Sequence, residues 1–600
     1  MARELKLMLY YVRKYWWRYI LGLAVLYGEE WVAAKIPRLS GELTDGLTTG
    51  AFNIGGVWNI AIRLLGMGLV VTVGCFLWRV FLFGTGRKIE QDLRGRLFAH
   101  LETMSLSWYN EHKTGDLMAL FTNDVRAIRG LMGMTVISSF DATVMLMLVL
   151  INMILFVNLK LTLITVIPLI LILFSNVWFS KQMHRRFLVR QEAFAELTSQ
   201  AQEAISGIRV IKGFVQERQE LAAFAKANRN NHEKNIHVIR LTAFFLPLLD
   251  LLVGISLLLT LVYGGRMTIF GEISIGQFVA FSSYVMMLIW PMIAVGESVS
   301  GLSQGLASLR RVSTILEEKS NIVDEGDPAI TSLKGDIEFR DLTFRYPGTS
   351  ETHPALEHVS IHVSEGETLA VFGRTGCGKT TMVNLLERLW DTDDPDMIRV
   401  DGHPLREIPL QVLHRDIAYV PQDSFLFSDT IRNNIAFGVD KADNSEIIEA
   451  AKAADIHDNI MEFPKQYDTL LGERGVTISG GQKQRISIAR ALMKDAPVLI
   501  LDDSLSAVDT DTEERILTRL KEIRRGRTTI IISHRISTIQ HADHILVLED
   551  GKPVEYGTHD ELMVCSKVYS TIYENQQLEK QLLKEYPDLP ETQTTGGGRL

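Results

Sequence analysis

Cysteine is scarce in this sequence, and the few cysteines are scattered. The 600 residues contain only Cys75, Cys377 and Cys565, and no two of them have the CxxC spacing. This pattern excludes a disulfide framework and a cysteine-based zinc site, and it fits a reducing compartment.

A surplus of positive charge is also lacking. Lys and Arg number 62 against 71 Asp and Glu, which gives a formal net charge of −9. Without a strongly basic surface, nucleic acid is not expected as a partner. The N-terminus has the pattern of neither a cleavable signal nor an Arg- and Ser-rich transit peptide. Residues 3–17 mix charges with Leu, Tyr and Trp, as in an amphipathic helix on a membrane surface.

Long apolar runs fill the first half of the chain. Each is near or above the roughly 20 residues that a helix needs to cross a bilayer. A soluble protein with buried helices is the alternative, and six such runs disfavour it. We predict membrane spans near 19–38, 57–83, 137–157, 161–181, 241–263 and 275–296.

The connections between these spans alternate in length. Residues 39–56, 158–160 and 264–274 are short, whereas 84–136 and 182–240 are long, polar and patterned as helices. Lys and Arg concentrate beside the long connections. Because positive residues favour the cytoplasmic side, both termini and both long connections are predicted to be cytoplasmic in a multi-pass protein.

The pattern changes at residue 335. Short strand-like segments such as "DIEFRDLTFRY" then alternate with helix-like ones, which is typical of a mostly parallel α/β sheet. The predicted fold class is an α-helical six-span transmembrane domain with long cytoplasmic helical extensions, plus an α/β phosphate-loop domain. We predict a transmembrane domain over 1–311, a linker over 312–334, the α/β domain over 335–575 and a polar tail over 576–600.

A phosphate-binding pattern, GxxxxGK[ST], follows the strand-like "TLAVF". Glycines let backbone N–H groups turn inward around phosphate oxygens, and the following helix N-terminus adds partial positive charge. The lysine can reach the β- and γ-phosphates, and the next hydroxyl can bind Mg²⁺. ATP and Mg²⁺ are the expected ligands. The loop "GRTGCGKTT" consists of Gly373, Arg374, Thr375, Gly376, Cys377, Gly378, Lys379, Thr380 and Thr381.

Two carboxylates end the apolar stretch "LILDD". Asp502 stands where a second ligand of Mg²⁺ belongs, about 120 residues after the loop. At the next position a glutamate would reach a water near the γ-phosphate. Asp503 is there instead, and it is one methylene shorter.

The segment "ISGGQKQRISIARAL" (478–492) resembles the signature motif of ATP-binding cassette (ABC) proteins. Its place between the phosphate loop and "LILDD" matches that family, and residues 335–575 are similar to a whole cassette. The resemblance implies that Tyr346 stacks on adenine, that Gln422 senses Mg²⁺ and the membrane domain, and that His534 contacts the γ-phosphate. "GERG" (472–475) resembles an exporter segment, and "SAVD" (506–509) a loop exchanged between two cassettes.

Six spans followed by one cassette resemble half of an ABC exporter. Residues 106–129 and 195–217 look like its two cytoplasmic coupling segments, each expected to end in a short helix that docks on a cassette. Plain amphipathic cytosolic helices are the alternative for these stretches.

In this family each nucleotide lies between the phosphate loop of one cassette and the signature of another, so the resemblance implies a second half-transporter. Asp503 should make the site at this chain's own loop slow, because a well-placed general base contributes roughly 10²–10⁴ in rate. The chain therefore looks like the weak subunit of a heterodimer, and a homodimer tolerating Asp is the alternative. The expected residues are Asp503, His534 and Gln422 for catalysis, Thr380, Gln422 and Asp502 for Mg²⁺, and Ser479, Gly480, Gly481 and Gln482 toward the partner's ATP.

Acidic residues in the first span are candidates for the substrate cavity. Intramembrane acids are costly and usually face a bundle interior or a water-filled cavity. Glu29 or Glu30 is therefore predicted to favour cationic amphipathic substrates. The two are about 100° apart on a helix, so one faces elsewhere. Structural pairing with Lys35 or a neighbouring helix is the alternative.

Cys377 stands in the phosphate loop where the family more often has serine. A helix N-terminus lowers the pKa of a thiol, so we expect alkylation that Mg-ATP prevents. A tolerated substitution is favoured over a regulatory redox role.

These features predict an ATP hydrolase coupled to alternating-access export in a bacterial inner membrane. Amphipathic compounds, drugs first, are the expected cargo, with lipid or peptide export second. A rival of another class is an ATP-binding regulatory subunit that transports nothing. Besides the second half-transporter, the expected partners are membrane lipid and the small amphipathic substrate.

Overall fold

The computed structural model describes residues 2–347, 354–472, 478–565 and 568–585. The chain divides into two compact units. The first contains the residues up to Thr103 and His112–Lys319, and it consists of helices and short connections. The second contains Met104–Glu111 and the residues from Ser320 onward, and it combines helices with strands.

The helices of the first half of the chain follow one another with few interruptions. Short π-helical turns at Leu120–Asp124, Leu131–Thr135, Met153–Val157 and Thr260–Gly264 continue several of them. The helices are α1 (Ala2–Lys14), α2 (Trp16–Ala33), α3 (Ile36–Thr48), α4 (Ile54–Leu101), α5 (Leu106–Glu111), α6 (Thr114–Ala119), α7 (Val125–Gly130), α8 (Val136–Asn152), α9 (Leu159–Ser206), α10 (Ile208–Gly213), α11 (Glu217–Leu259), α12 (Gly265–Ile269), α13 (Ile275–Met287) and α14 (Ile289–Glu317).

Among the described residues, five helical stretches are long and apolar enough to cross a membrane, and they contain the last five predicted spans. They are Ile54–Leu101, Thr114–Val157, Leu159–Ser206, Glu217–Ile269 and Ile275–Glu317. The first predicted span falls on α2 and the start of α3, with a break at Ala34 and Lys35. Because the 18 residues of α2 include Arg18, Glu29 and Glu30, hydropathy does not identify it. The count of six spans stays a prediction.

The predicted long extensions are present in the helix lengths. α4 and α9 each have 48 residues, which corresponds to about 72 Å of helix. The hydrocarbon core of a bilayer is only about 30 Å thick. Each of these helices therefore continues far beyond the membrane.

Side-chain caps start the helices that follow the short connections. Asn53 accepts a hydrogen bond from the Gly56 N–H at 3.0 Å, and Asn158 accepts one from the Lys160 N–H at 2.9 Å. Ser274 and Gln277 form a reciprocal capping box at the start of α13. Such caps satisfy backbone donors that the first helical turn leaves without partners.

The described residues of the second unit form two sheets. A four-stranded sheet has the order β2-β1-β4-β5, and a six-stranded sheet has the order β10-β9-β3-β8-β7-β6. All ladders of the larger sheet are parallel except β9–β10. The strands are β1 (Ile337–Phe344), β2 (Leu356–Val363), β3 (Thr368–Gly373), β4 (Ile398–Val400), β5 (His403–Pro404), β6 (Ile417–Val420), β7 (Val498–Asp502), β8 (Thr528–Ile532), β9 (His544–Glu549) and β10 (Lys552–Gly557).

Hydrophobic cores lie on both faces of the larger sheet, so every residue of β7 and β8 is buried. This explains their continuous apolar sequences. The helices of this unit are α15 (Lys379–Leu386), α16 (Leu410–Asp416), α17 (Ile431–Ala436), α18 (Asn444–Ala453), α19 (His457–Glu462), α20 (Gly480–Met493), α21 (Thr510–Ile523), α22 (Ile536–Ile539), α23 (His559–Cys565) and α24 (Val568–Glu585).

Helices cross two of the predicted domain boundaries. α14 continues to Glu317, into the predicted linker, and α24 continues past residue 575 into the predicted tail. Residues 586–600 lie outside the described residues, as do residues 473–475 of the exporter-like segment.

Candidate ATP-binding site

Three predicted catalytic residues lie at one edge of the larger sheet. Gln422 follows β6, Asp503 follows β7 and His534 follows β8. These strands are parallel neighbours, so their carboxyl ends meet at the same edge, where open α/β sheets bind ligands.

The carboxylate of Asp503 is held by both of its neighbours. His534 Nδ1 lies 2.9 Å from Asp503 Oδ1, and Gln422 Nε2 donates to Asp503 Oδ2 at 3.4 Å. The backbone of Asp503 has φ +46°, and its N–H donates to the Ile532 carbonyl at 2.9 Å. Aspartate tolerates this left-handed conformation better than most residues. The sheet therefore brings Asp503, His534 and Gln422 into one hydrogen-bonded group.

Asp502 is buried beside this group. Its carboxylate accepts a hydrogen bond from the Tyr419 hydroxyl at 3.3 Å, and it is hydrogen-bonded to Thr380. Burial raises the pKa of Asp502, while the hydrogen bonds from Thr380 and Tyr419 oppose that rise. A carboxylate beside a hydroxyl is an all-oxygen arrangement that suits Mg²⁺. Asp502 and Thr380, two of the three residues predicted for the metal, thus fit it, while the Gln422 side chain lies on Asp503.

The phosphate loop joins β3 to α15 in a conformation that requires glycine. Gly373 and Gly378 have φ +156° and +99°, and a Cβ would collide with the carbonyl oxygens of Leu548 and Ala355, respectively. Lys379 Nζ donates to the carbonyls of Gly373 at 2.8 Å and Arg374 at 2.9 Å. The lysine ammonium therefore lies over the loop that precedes its own helix, and binding of phosphate by this loop stays a prediction.

The thiol of Cys377 points into the protein. Cys377 is buried, and its Sγ lies 3.8 Å from Lys379 Nζ. Burial raises the pKa of this thiol, and Lys379 opposes the rise only in part. The prediction of a lowered thiol pKa is wrong, because desolvation outweighs the helix N-terminus.

Tyr346 lies next to the end of the phosphate loop. Its hydroxyl donates to Thr381 Oγ1 at 3.1 Å. Its ring meets that of Trp390 edge-on, with centroids 5.1 Å apart. The position fits an aromatic wall for a base, and stacking on adenine stays a prediction.

The signature residues form the N-terminus of α20. Ser479 caps the helix in a reciprocal box with Gln482. Gly481 lies close to the following loop, since a Cβ there would be 2.7 Å from the Ala507 carbonyl oxygen. Among the described hydrogen bonds, none joins Ser479, Gly480, Gly481 or Gln482 to the phosphate loop. No hydrogen bond in the described part of the chain therefore links the signature to the residues of this chain's own phosphate loop.

Known families account for both halves of the chain. The family described as "ABC transporter transmembrane region" matches residues 19–292, and the family described as "ABC transporter" matches residues 356–506. A Bacillus subtilis (strain 168) relative, "Probable multidrug resistance ABC transporter ATP-binding/permease protein YheI", is 38% identical over 582 residues, 96% of this chain and 98% of the relative. The chain belongs to the ABC transporter family.

Two further comparisons cover this ABC transporter almost completely. "Multidrug resistance-like ATP-binding protein MdlA" of Escherichia coli (strain K12) is 37% identical over 573 residues, 96% of each chain. A structure of a bacterial Atm1-family ABC exporter with ATP bound superposes with a TM-score of 0.78 at 26% identity. It covers 94% of this chain and 99% of that one. The predicted fold class, helical membrane domain plus nucleotide-binding cassette, is confirmed apart from the span count.

The cassette of this transporter implies ATP binding and hydrolysis coupled to transport. Some of its contacts were not predicted from the sequence. The phenol of Tyr419 reaches Asp502, and the Gln484 side chain accepts from the Ala507 N–H at 2.9 Å and donates to Ser506 Oγ at 3.0 Å. The only signs of these contacts in the sequence were the hydroxyl of Tyr419 and the amide of Gln484, which lie within motifs that match the family.

The two candidate substrate residues have different surroundings. Glu30 is buried, and its carboxyl is hydrogen-bonded to that of Asp141 on α8. Glu29 packs on α4, where a Cβ on Gly74 would lie 3.0 Å from the Cβ of Glu29. The Lys35 ammonium lies over the Trp31 ring, 3.1 Å from its centroid. The buried glutamate is thus paired with a neighbouring helix and not with Lys35.

Proposed function

We propose that this transporter exports amphipathic compounds, drugs first, as the slowly hydrolysing subunit of a heterodimer. Asp503 is the observation that carries this proposal. It occupies the position of the general base, and its side chain is about 1.5 Å shorter than that of glutamate, the length of one C–C bond.

The neighbours of Asp503 add to the effect of its length. His534 and Gln422 bind its two oxygens, and so hold the carboxylate close to the sheet edge. A misplacement of 1 Å can cost about 10²-fold in rate. Thr380, Asp502 and Gln422 would still supply oxygens to Mg²⁺, and the phosphate loop with Tyr346 would still hold ATP. We infer that this site binds ATP and hydrolyses it slowly.

The signature of this chain supports a competent site on the partner. The cap by Ser479 orders the start of α20, a helix of 14 residues. Ser479, Gly480 and Gly481 together present a hydroxyl and backbone N–H groups, and this set of donors suits a γ-phosphate. A partner with glutamate at the base position would complete a fast site there.

The second coupling segment supports assembly with another cassette. α10 and its flanks expose apolar side chains to solvent, although the segment lies far from the hydrophobic spans. These residues are Ile205, Ile208, Val210, Phe214 and Val215. Plain amphipathic cytosolic helices bury such side chains, whereas a docking helix keeps them exposed for contact with a partner. The first segment differs, since α5 groups with the cassette unit of its own chain.

The membrane arrangement follows from the helices and their charges. We infer that the protein lies in a bacterial inner membrane. We also infer that both termini are cytoplasmic, because the long helical extensions carry the Lys and Arg residues that favour the cytoplasmic side. Names of two relatives refer to multidrug resistance, which supports amphipathic drugs as cargo. Glu29 and Glu30 stay the candidate substrate contacts.

The chain purified alone in nanodiscs tests the proposal. Its oligomeric mass and Mg-ATPase rate are measured beside Lys379→Ala, which removes the phosphate-binding ammonium. We expect the wild-type chain to bind ATP and to hydrolyse it at a rate close to that of Lys379→Ala. A stable homodimer turning over at about 1 s⁻¹ or faster would refute the heterodimer. ATP-dependent uptake by heterodimer liposomes then separates an exporter from a regulatory subunit.

A further inference from the structure

Two carboxyl groups meet inside the membrane domain. Glu30 on α2 is hydrogen-bonded to Asp141 on α8. Glu30 is only 6% exposed, and among the described residues its Oε2 atom receives no N–H or hydroxyl donor. An unpaired buried carboxylate is among the most costly groups in a protein interior.

The hydrogen bond between these carboxyls requires a proton. An ionised carboxylate only accepts hydrogen bonds, so one of the two groups must be protonated. Nearby charges do not remove this requirement. Glu29 adds a further negative charge. Of the nearby cations, Arg79 acts electrostatically on the Glu29 carboxyl, and the Lys35 ammonium lies over the Trp31 ring. With one shared proton, the pair would carry a single negative charge.

One end of the pair is buried and the other is open. Trp290 on α14 donates its indole N–H to Asp141 Oδ2 at 3.3 Å, and this tryptophan is 52% exposed. Aromatic faces attract cations, and exposed ones also accept apolar rings. The site thus combines an acidic, buried end with an aromatic, accessible one.

We propose that the Glu30–Asp141 pair is a binding site for the cationic head of an amphipathic substrate, which replaces the shared proton. On binding, the O–H bond of the shared proton breaks and the proton leaves to water. The organic cation then lies between two carboxylates, and its apolar body packs on Trp290. The charge of the site is −1 before and after the exchange, so no additional charge is buried. This inference rests on the proposed export function and specifies its substrate class.

Proton release on binding is the decisive measurement. The heterodimer in nanodiscs is titrated calorimetrically, without nucleotide, with tetraphenylphosphonium, a permanent cation that does not itself titrate. Two buffers of different ionisation enthalpy give the number of protons released. We expect about one proton per cation and an affinity that rises about tenfold per pH unit, as linkage requires.

Substitutions separate the pair from other membrane acids. Glu30→Gln and Asp141→Asn should each abolish proton release and weaken cation binding at least tenfold. Asp250→Asn is the matched control, because Asp250 is an exposed acid within another long apolar helix, α11. It should keep both properties. Cation binding without proton release, or equal losses in the control, would overturn the proposal.

A second readout does not depend on transport. Wild-type protein should show the infrared band of a protonated carboxyl at neutral pH, and Glu30→Gln should lack it. Absence of that band from the wild type overturns the shared proton even if drugs are exported. If the band is present and export of every compound fails, the proposed function fails while the shared proton stands. Failure of the cation to bind overturns the exchange.

Discussion

Asp503→Glu is expected to accelerate ATP hydrolysis by this transporter. The longer side chain brings the carboxylate about 1.5 Å further from the sheet edge, toward the water that it must activate. A positioned general base is worth roughly 10²–10⁴ in rate. Part of this gain is lost, because Gln422 and His534 now hold the carboxylate and must rearrange. We therefore expect an increase in kcat of about 10- to 100-fold.

The same substitution should cost some stability. Asp503 has φ +46°, and most residues with a Cβ pay roughly 1–2 kcal/mol in the left-handed region, which aspartate avoids in part. A lower Tm with a higher kcat is the expected combination. It would show that the rate does not rise through better folding.

The assay compares wild type, Asp503→Glu and Asp503→Asn in the same nanodiscs, at saturating Mg-ATP. Asparagine keeps the size of aspartate and removes its basicity. If Asp503 is not an effective base, the ATPase rate of Asp503→Asn should therefore differ from that of the wild type by less than about twofold. A drop of 10²-fold or more in Asp503→Asn would show that aspartate already works as the base. That result, or an unchanged rate in Asp503→Glu, would refute the reasoning.

Three further predictions concern the cassette. Alkylation of Cys377 should be slow at neutral pH, accelerate up to and beyond pH 9, and be prevented by Mg-ATP, because burial raises the pKa of the thiol above its ordinary 9.0; equal labelling with and without Mg-ATP would contradict this. Gly481→Ala should lower the ATPase rate of the assembled heterodimer by about tenfold or more, and Gly480→Ala should lower it less. The new methyl group would lie 2.7 Å from the Ala507 carbonyl oxygen at position 481, but 3.6 Å from the Ala507 Cβ at position 480. Burial raises the pKa of Glu387 from 4.5 to about 7, with Lys494 opposing; the unfolded chain therefore loses this proton first, and stability should fall as pH rises from 4.5 to 7. Glu387→Gln should flatten that part of the Tm–pH curve, and an identical slope would count against it.

Local motifs were enough to predict which residues the sheet edge brings together, but they did not predict contacts between distant segments. The phosphate loop and the carboxylates after "LILDD" have fixed spacings, and three adjacent parallel strands bring Gln422, Asp503 and His534 together. The Tyr419–Asp502 contact joins residues 83 positions apart, and no periodicity reveals it. The sequence likewise identified Glu30 as an intramembrane acid but not its contact with Asp141, because helix packing alone decides that the two meet.

The thiol of Cys377 shows where a local rule failed. A helix N-terminus favours the thiolate, and the sequence shows that helix. The burial of the side chain within a hydrophobic core of the cassette is a property of the folded domain, and it raises the pKa of the thiol. The first predicted span is a further case in which sequence rules disagree, because its charged residues keep hydropathy from identifying it, although α2 forms as a continuous helix.

The side chain of Gln484 has a consequence for the timing of the two nucleotide sites. It lies on the signature helix and binds both Ser506 and the Ala507 N–H, in the loop that leaves Asp503. In the proposed heterodimer, a shift of that loop at this chain's own nucleotide would move the signature helix, which the proposal places against the partner's nucleotide. If the proposal holds, the slow site would thereby influence when the faster site hydrolyses ATP, through the Gln484 amide and without the two sites having equal rates.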